Sequence, residues 1–207
     1  MYTVMPRFRA FVAVVALLLL AACATNKLLS HQANPDYVGK SFKRVMVHVV
    51  AYDQTLRRVF EDRMVALLAQ RGIGGVPAYS IFPKDAEIDE ARLREAVAKS
   101  GVDGVLITRT GVEESASTSV SGGTVVTGTG MVGMYVYYSG VWQATQVAPE
   151  TVEGATWMTS STRLFDAKDG TPVWAGSVKT SKEGDIAPAM QKYIDLIFDA
   201  MVKDRVI

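Results

Sequence analysis

Cysteine is almost absent from this sequence of 207 residues, since Cys23 is the only one. A disulfide needs two thiols and a sulfur-rich zinc site needs several, so neither can staple this chain. Histidine is nearly as scarce, with His31 and His48 as its two copies. A lone histidine in a strand is far more often structural than a metal ligand or a catalytic base, and we therefore expect no metal site.

An excess of charge of one sign is also missing. The sequence has 22 basic and 21 acidic residues, a net charge of +1, and no block of like charge. This balance predicts neither a groove for nucleic acid nor a patch for anionic lipids.

Recognisable catalytic and nucleotide-binding motifs are missing too. The GxSxG elbow, the Walker A loop and the HExxH helix do not occur. Residues 128–133 match the spacing GxGxxG, but a Ser/Thr-rich stretch precedes them and a β-prone stretch follows, so we expect no helix N-terminus there to face a pyrophosphate. The acidic cluster at residues 85–90 is typical of the start of a helix. We expect a chain that is not an enzyme, binds no nucleotide and needs no cofactor.

The N-terminal segment has the pattern of a signal peptide. Arg7 and Arg9 supply positive charge, residues 11–20 are continuously apolar, and the small residues Ala21 and Ala22 follow. As a helix the apolar run would span about 15 Å, half of a bilayer core, which is too short for a retained transmembrane helix. We therefore predict that residues 1–22 are removed.

The signal peptide ends in a sequence that resembles the lipobox of bacterial lipoproteins, namely Leu20, Ala21, Ala22 and Cys23. The resemblance implies cleavage between Ala22 and Cys23, a diacylglycerol on the cysteine sulfur, and an acyl chain such as palmitate on its new amine. Two or more such chains hold a protein stably to a membrane. Because Ala24 stands where an aspartate favours retention in the inner membrane, the resemblance implies the periplasmic face of the outer membrane. The alternative is an ordinary secretory signal that leaves a free thiol.

The rest of the chain predicts a single domain of the α/β class. Residues 23–40 are mostly polar after the lipidated cysteine, and we interpret them as a tether. Residues 41–207 are predicted to form a mixed β-sheet with packed helices, in the order β-α-β-α-β, a long hairpin insertion at 113–150, β-β and α. Strands are expected at 42–52, 75–82, 103–112 and on both sides of a turn at 166–170, and helices after Asp53, after Asp89 and from about Asp185.

Two of the predicted helices carry an apolar stripe at helical spacing. In the first helix the stripe consists of Leu56, Phe60, Met64, Leu67 and Leu68, and in the last helix of Met190, Ile194, Ile197 and Met201. Arg57 and Glu61 of the first helix are expected to lie outside the stripe that faces the core.

The insertion is unusual in composition. Residues 115–130 are mostly Ser, Thr and Gly, and residues 130–142 are aromatic and β-prone. We interpret the insertion as a long hairpin extending from the sheet, either packed on the domain or used as a partner surface. Because the hydrophobic stripes lie outside it, deletion of 115–147 should leave a folded domain. Because exposed aromatic residues anchor interfaces, four of them are candidate contacts for a partner protein: Tyr135, Tyr137, Tyr138 and Trp142. The alternative is a membrane-spanning hairpin, since a transmembrane strand needs about ten residues with one apolar face.

Residues 41–205 and the lipobox together resemble a loose group of envelope lipoproteins. The group includes the penicillin-binding-protein activator lipoproteins, the curli secretion channel subunit and the N-terminal domain of the Tol-system propeller protein. The chain resembles more closely still the periplasmic lipoproteins that carry a Gly/Tyr-rich insertion before a strand pair like residues 163–176. The likeness is carried by the order of elements and by the short patterns DGVL at 103–106 and VWAG at 173–176. It implies a non-catalytic binding or assembly protein that works with another envelope protein, with a subunit of a curli-type secretion pore as the alternative.

Overall fold

The computed structural model describes residues 26–50, 54–82, 89–114, 132–139, 157–181 and 186–207. The predicted signal peptide, the cleavage site at Ala22 and Cys23, the lipidation of Cys23 and the candidate contact Trp142 lie outside these ranges, as does the expected helix cap Asp53. Those predictions stay predictions.

Within the described residues, six strands form one mixed sheet. They are β1 (Asn26–Ala33), β2 (Arg44–Val50), β3 (Gly74–Pro77), β4 (Gly104–Glu114), β5 (Trp157–Asp166) and β6 (Pro172–Ser181). The order across the sheet is β1-β6-β5-β4-β2-β3, in which β3, β2 and β4 run parallel while β4, β5, β6 and β1 pair antiparallel. The predicted α/β class with a mixed sheet is confirmed.

The helices begin and end where local sequence signals favour it. They are α1 (Gln54–Gln70), α2 (Glu90–Ser100), α3 (134–139) and α4 (Ile186–Lys203), with short 3-10 turns at Pro35–Tyr37 and Ala78–Ser80. At the start of α2, the carboxylate of Asp89 accepts a hydrogen bond from the backbone N–H of Arg92 at 2.8 Å. Gly101 ends α2 with a φ of 64°, which a residue without Cβ adopts at little cost.

Side chains of β2 alternate between two cores on opposite faces of the sheet. Val45, Val47 and Val49 belong to the core under α1 and α4, whereas Met46 and Val50 belong to the core under α2 and α3. The predicted stripe of α4 is confirmed, because Ile194, Ile197 and Met201 are buried in the first core and Met190 packs against it. The sheet therefore lies between two layers of helix.

The start of the domain differs from the prediction. Residues 26–33, expected to be part of a tether, form β1, which pairs with β6 from Asn26 opposite Thr180 to Ala33 opposite Trp174. As an edge strand β1 has only half-buried and exposed side chains, so its sequence has little apolar periodicity to signal it. Backbone hydrogen bonds, which any non-proline residue can make, hold it to the sheet.

The aromatic part of the insertion also differs from the prediction. Residues 134–139 form the helix α3 rather than a strand of a hairpin. Met134, Tyr137 and Tyr138, spaced three and four residues apart, are buried in the second core, while Val136 is 70 % exposed. A run in which nearly every residue is apolar fits both periodicities, and packing against the sheet selects the helix. Residues of the insertion therefore contribute to the second core, which the predicted stripes did not include. That the domain folds without 115–147 stays a prediction.

The two ends of the sheet differ in which strand ends and turns they contain. At one end, here called the proximal end, the chain enters or leaves the sheet at four positions that are level in register: Asn26, Glu114, Trp157 and Ser181. At the other, the distal end, β2 begins at Arg44 and the turn at 167–171 joins β5 to β6, with Gly170 at a φ of 74°. A strand of ten residues such as β5 separates the ends by about 30 Å.

Candidate functional site

A charged cluster is buried on α1 and β2. Arg57 and Glu61, expected outside the core-facing stripe, are both 0 % exposed, and the Nε–H of Arg57 donates to Oε1 of Glu61 at 2.9 Å. His48, which is 2 % exposed, places its Nδ1 3.9 Å from the same oxygen. The expectation for Arg57 and Glu61 was therefore wrong, and three titratable side chains meet inside the fold. We call them the buried cluster.

The carboxylate of Glu61 takes the place of a missing stretch of β3. Since β3 pairs with β2 only as far as Val47, the backbone N–H of Val49 lies beyond the end of its neighbouring strand. Oε1 of Glu61 accepts a hydrogen bond from that N–H at 3.1 Å, and Oε2 accepts one from the backbone N–H of Tyr79 at 2.8 Å. Both oxygens thus join α1, β2 and the chain after β3, and they satisfy buried backbone groups.

Aromatic rings surround His48 on its other side. Its imidazole lies 5.7 Å from the ring of Tyr138 and 6.3 Å from the ring of Phe82. Burial lowers the pKa of His48 below its ordinary value, although Glu61 acts in the opposite direction. Burial acts to raise the pKa of Glu61, but contacts with His48 and Arg57 outweigh it and lower that pKa. A neutral imidazole therefore lies beside an ionised carboxylate at neutral pH.

The structure separates the aromatic candidates of the insertion. Tyr137 is 2 % exposed and Tyr138 is 0 % exposed, so the exposure on which their assignment as partner contacts depended is absent in the described part of the chain. The guanidinium of Arg163 lies 4.3 Å from the centre of the Tyr137 ring. Tyr135 is half-buried, with the guanidinium of Arg94 only 3.4 Å from its ring centre. Of the three tyrosines, Tyr135 retains the most exposed surface.

A basic pocket lies at the distal end, between the loop before β2, the end of α1 and the end of α4. It has a volume of about 700 Å³ and includes the apolar side chains of Phe42, Ile73 and Val202. Four cationic residues are among those that line it: Lys40, Lys43, Arg71 and Arg205. We call this cleft the distal pocket.

Two acidic residues beside the distal pocket accept hydrogen bonds from neutral N–H groups and do not pair with its cations. The carboxylate of Asp103 accepts hydrogen bonds from the backbone N–H groups of Lys43 and Arg44, both at 2.8 Å. Asp204 accepts a hydrogen bond from the indole N–H of Trp174 at 2.8 Å. Over the described ranges, none of the four cations of the distal pocket forms an ion pair with an Asp or Glu side chain.

Arg205 has a backbone conformation that usually belongs to glycine. Its φ is 57°, and it directly follows the last turn of α4. Its N–H donates to the carbonyl of Val202 at 3.0 Å and the next N–H donates to the carbonyl of Met201 at 3.1 Å, which are the two bonds of a Schellman cap. A side chain at this left-handed position costs about 1 kcal/mol relative to glycine. The carbonyl of Arg205 also accepts a hydrogen bond from the N–H of Gly39 at 2.7 Å, which fastens the loop before β2 to the cap.

A second cleft, of about 590 Å³, lies on the opposite face of the sheet beside α2. Its lining includes Phe82 and charges of both signs, and Lys99 there pairs with Glu95 at 2.5 Å. This cleft therefore does not concentrate charge of one sign as the distal pocket does.

Metal ligands and membrane-spanning helices were searched for in the same described ranges. Those ranges contain no group of three or more side chains suited to hold a metal ion. Nor does any helix there combine the length and apolar character needed to cross a bilayer. In the buried cluster, His48 and Glu61 supply two ligand types, but the guanidinium of Arg57 beside them disfavours a bound cation.

Sequence reasoning missed both groups of charges. For the buried cluster a signal existed, because Arg57, Phe60, Glu61 and Met64 follow the spacing of one helix face, but their charge placed two of them outside it. For the distal pocket no local signal existed, since its four cations come from three separate stretches of sequence.

No protein-family model matches the chain, and no curated protein matches it. Two solved structures of the PelC dodecamer from Paraburkholderia phytofirmans, one of them a leucine-to-methionine variant, are similar in fold. The variant is 12 % identical over 88 % of this chain and 99 % of that chain, with a TM-score of 0.46, and the other is 11 % identical over 83 % and 94 %, with a TM-score of 0.44. A PDZ domain protein from Parabacteroides distasonis is 11 % identical over 86 % of this chain and 35 % of that chain, with a TM-score of 0.36. At such TM-scores the likenesses carry no argument about function.

Proposed function

We propose that this chain is a lipid-anchored protein of the bacterial envelope that acts by binding another envelope component and not by catalysis. The proposal includes cleavage before Cys23, its acylation, and the outer-membrane location implied by Ala24. One observation carries it beyond the lipobox itself: β1 begins at Asn26, only three residues after Cys23.

The short connection determines what an anchor would do. Three residues of extended chain span at most about 10 Å. Acyl chains on Cys23 would therefore hold the proximal end of the sheet at the bilayer surface. Because β1 pairs with β6 along its length, the anchor would fix the orientation of the domain as well as its location. The distal end would point away from the membrane.

The insertion starts and finishes at the same end of the sheet. β4 ends at Glu114 and β5 begins at Trp157, both at the proximal end, so the chain between them leaves and returns on the side of the proposed anchor. The alternative of a membrane-spanning hairpin relied on a strand over 130–142, and α3 occupies residues 134–139 of that stretch. This favours a binding protein over a pore subunit.

The buried cluster supports a binding function over a catalytic one. A general acid or base must come within hydrogen-bond distance of its substrate. In the described part of the chain, His48, Arg57 and Glu61 are at most 2 % exposed, and both oxygens of Glu61 already accept backbone hydrogen bonds. We interpret the cluster as a structural joint between α1, β2 and the chain after β3.

Lipidation is tested on the native protein. Mass spectrometry of the mature N-terminus is expected to show Cys23 as the first residue with three acyl chains, and labelled palmitate should be incorporated. Cys23→Ala should abolish the label, whereas Thr25→Ala, two residues away, should retain it. An unmodified Cys23 thiol on protein that stays in the soluble fraction would overturn the proposal.

Orientation is tested with spin labels. Since acylation would consume the one native thiol, a single introduced cysteine is the only labelling site. A label at Lys27→Cys, in β1 near the proximal end, should be relaxed strongly by paramagnetic headgroups of the host bilayer. A label at Lys168→Cys, in the exposed distal turn, should be relaxed weakly. Equal relaxation at both positions would contradict the proposed orientation.

A further inference from the structure

We infer that the distal pocket is a binding site for a soluble phosphate monoester. The site stands on the geometry of the pocket alone. Only the choice of a soluble ester over the headgroup of the anchoring membrane rests on the proposed function, because that function places the pocket about 30 Å from the bilayer.

The first argument is charge. Lys43, Arg71 and Arg205 come from different parts of the chain and line one cleft, and the ammonium of Lys40, a fourth lining residue, lies 4.5 Å from the centre of the Tyr37 ring. Like charges brought together without counterions repel each other and create a strong local positive potential. Asp103 and Asp204 keep their charge near the cleft but form no ion pair with its cations, so a bound anion could pair with the cations directly.

One donor of the pocket is already in use. Nη2 of Arg71 donates to the carbonyl oxygen of Ile207 at 3.4 Å, a long hydrogen bond that leaves the other guanidinium donors available. A free carboxylate on Ile207 would neutralise one of the four positive charges. The remaining three would still exceed the charge of one dianion.

The second argument is the backbone at Arg205. Glycine would satisfy the Schellman cap with φ at 57° without steric cost, yet the chain places its longest cationic side chain there. Side chains held in such sparsely populated conformations cluster at ligand-binding sites, where the strain is compensated by what the side chain does. Arg205 is one of the residues that line the pocket, so a cationic residue at this position can serve a ligand there.

The third argument concerns which anion fits. Arginine presents a planar fork that pairs with two oxygens of a phosphate at once. A phosphate monoester carries about two negative charges at neutral pH, which suits several cations better than the single charge of a lipid phosphodiester. A volume of about 700 Å³ exceeds what inorganic phosphate fills, and Phe42 and Val202 offer apolar contact to the carbon part of an ester.

The proposal is tested by calorimetric titration of the full protein in non-ionic detergent. Three probes are used: glycerol 3-phosphate, inorganic phosphate, and dihexanoyl phosphatidylglycerol below its micelle concentration. We expect glycerol 3-phosphate to bind most tightly and its affinity to fall with added salt. Tighter binding of the phosphatidylglycerol would overturn the soluble ester in favour of a lipid headgroup. Equal binding of inorganic phosphate would overturn the ester in favour of a site for any small anion. No binding of any probe would overturn the site itself.

Variants separate binding from folding. Arg205→Gly removes a cation and the positive-φ penalty together, so it should weaken glycerol 3-phosphate binding about tenfold or more while raising Tm. Arg71→Gln should weaken binding similarly. The matched control Lys192→Gln, an exposed change of the same charge on α4, should bind like the parent protein. Unchanged affinity in Arg205→Gly would overturn the site. If Cys23 proves unmodified while glycerol 3-phosphate still binds, the proposed anchor is refuted and the site is not.

Discussion

The buried cluster and the distal pocket are two groups of charges treated in opposite ways by the same fold. In the buried cluster, Arg57 and Glu61 are 0 % exposed and lie 2.9 Å apart. In the distal pocket, four cations line an open cleft and none of them forms an ion pair with an Asp or Glu side chain of the described residues. In the buried cluster the charges pair with each other inside the molecule, and in the distal pocket they remain available to a ligand.

The comparison shows why the location of charges is a better guide to function than their number. A buried ion pair is costly to break because removing one partner leaves the other charge without compensation in a poorly solvated place. An exposed cation is solvated and costs little to remove, but it attracts anions over several ångströms. We therefore expect changes in the buried cluster to affect stability and changes in the distal pocket to affect binding.

The largest expected effect is the loss of the Glu61 charge. Glu61→Gln keeps the shape but removes the negative charge beside Arg57, and it should lower the free energy of unfolding by about 3–5 kcal/mol. Urea unfolding followed by circular dichroism measures this. The matched control Glu95→Gln, on the exposed face of α2, should leave the unfolding midpoint unchanged. An equal loss of stability in both variants would contradict the distinction between the buried cluster and exposed charges.

The next effect tests whether α3 belongs to the core. Tyr138→Ala removes a fully buried ring that contacts His48, and a cavity of this kind should cost about 3 kcal/mol. Val136→Ala, on the exposed side of the same helix, is the control and should change stability little. If the two variants melt alike, α3 does not pack as described and Tyr138 returns as a candidate for partner contact.

A smaller effect depends on pH through His48, which faces Glu61, Arg57 and Tyr138. Burial lowers the pKa of His48 in the folded state. As pH falls through about 6.5, the histidine is therefore protonated in the unfolded chain but not in the folded chain. Stability should then decrease by up to about 1.4 kcal/mol per pH unit, and the lowered pKa of Glu61 adds a further loss only at more acidic pH.

His48→Phe should remove the loss of stability between pH 7 and about 5.5. The measurement is urea unfolding at a series of pH values. His31→Gln, which changes the other histidine, should keep the slope that His48 causes. A slope that survives in His48→Phe would assign it to another group.

The smallest expected effect lies in the distal pocket. Lys43→Gln should change the free energy of unfolding by no more than about 0.5 kcal/mol, because the backbone N–H of Lys43, not its ammonium, makes the hydrogen bond to Asp103. Urea unfolding measures this as well. A large loss of stability would show that the pocket cations serve the fold rather than a ligand.

Strong local patterns made much of the fold predictable. A valine-rich run located β2, an apolar stripe located α4, and the cap at Asp89 with Gly101 bounded α2, because each of these signals acts within a few residues. The edge strand β1 gave no comparable signal, since its backbone pairs with β6 while its side chains stay half-buried or exposed. Residues 134–139 gave two signals at once, because an almost uniformly apolar run is compatible with both strand and helix.

The candidate sites were less predictable than the fold. Because Arg57 and Glu61 are charged, the sequence predicted them outside the core. They are buried because they pair with each other and because Glu61 accepts a hydrogen bond from the backbone N–H of Val49, which has no strand partner there. The sequence as a whole shows balanced charge, and this average conceals the local excess in the distal pocket. Of the aromatic candidates, Tyr137 and Tyr138 turned out to be core residues, and Trp142 lies outside the described ranges.

By itself the sequence determined the lipobox-like segment ending at Cys23, the absence of a second thiol, and the elements whose signals are local in the chain. Only the tertiary structure decided that β1 starts three residues after Cys23, that Glu61 completes the edge of β2, and that cations from three separate stretches line one pocket. The reason is physical: propensity and capping act over a few residues, whereas burial, counterion pairing and strand-edge satisfaction depend on which distant parts of the chain come together.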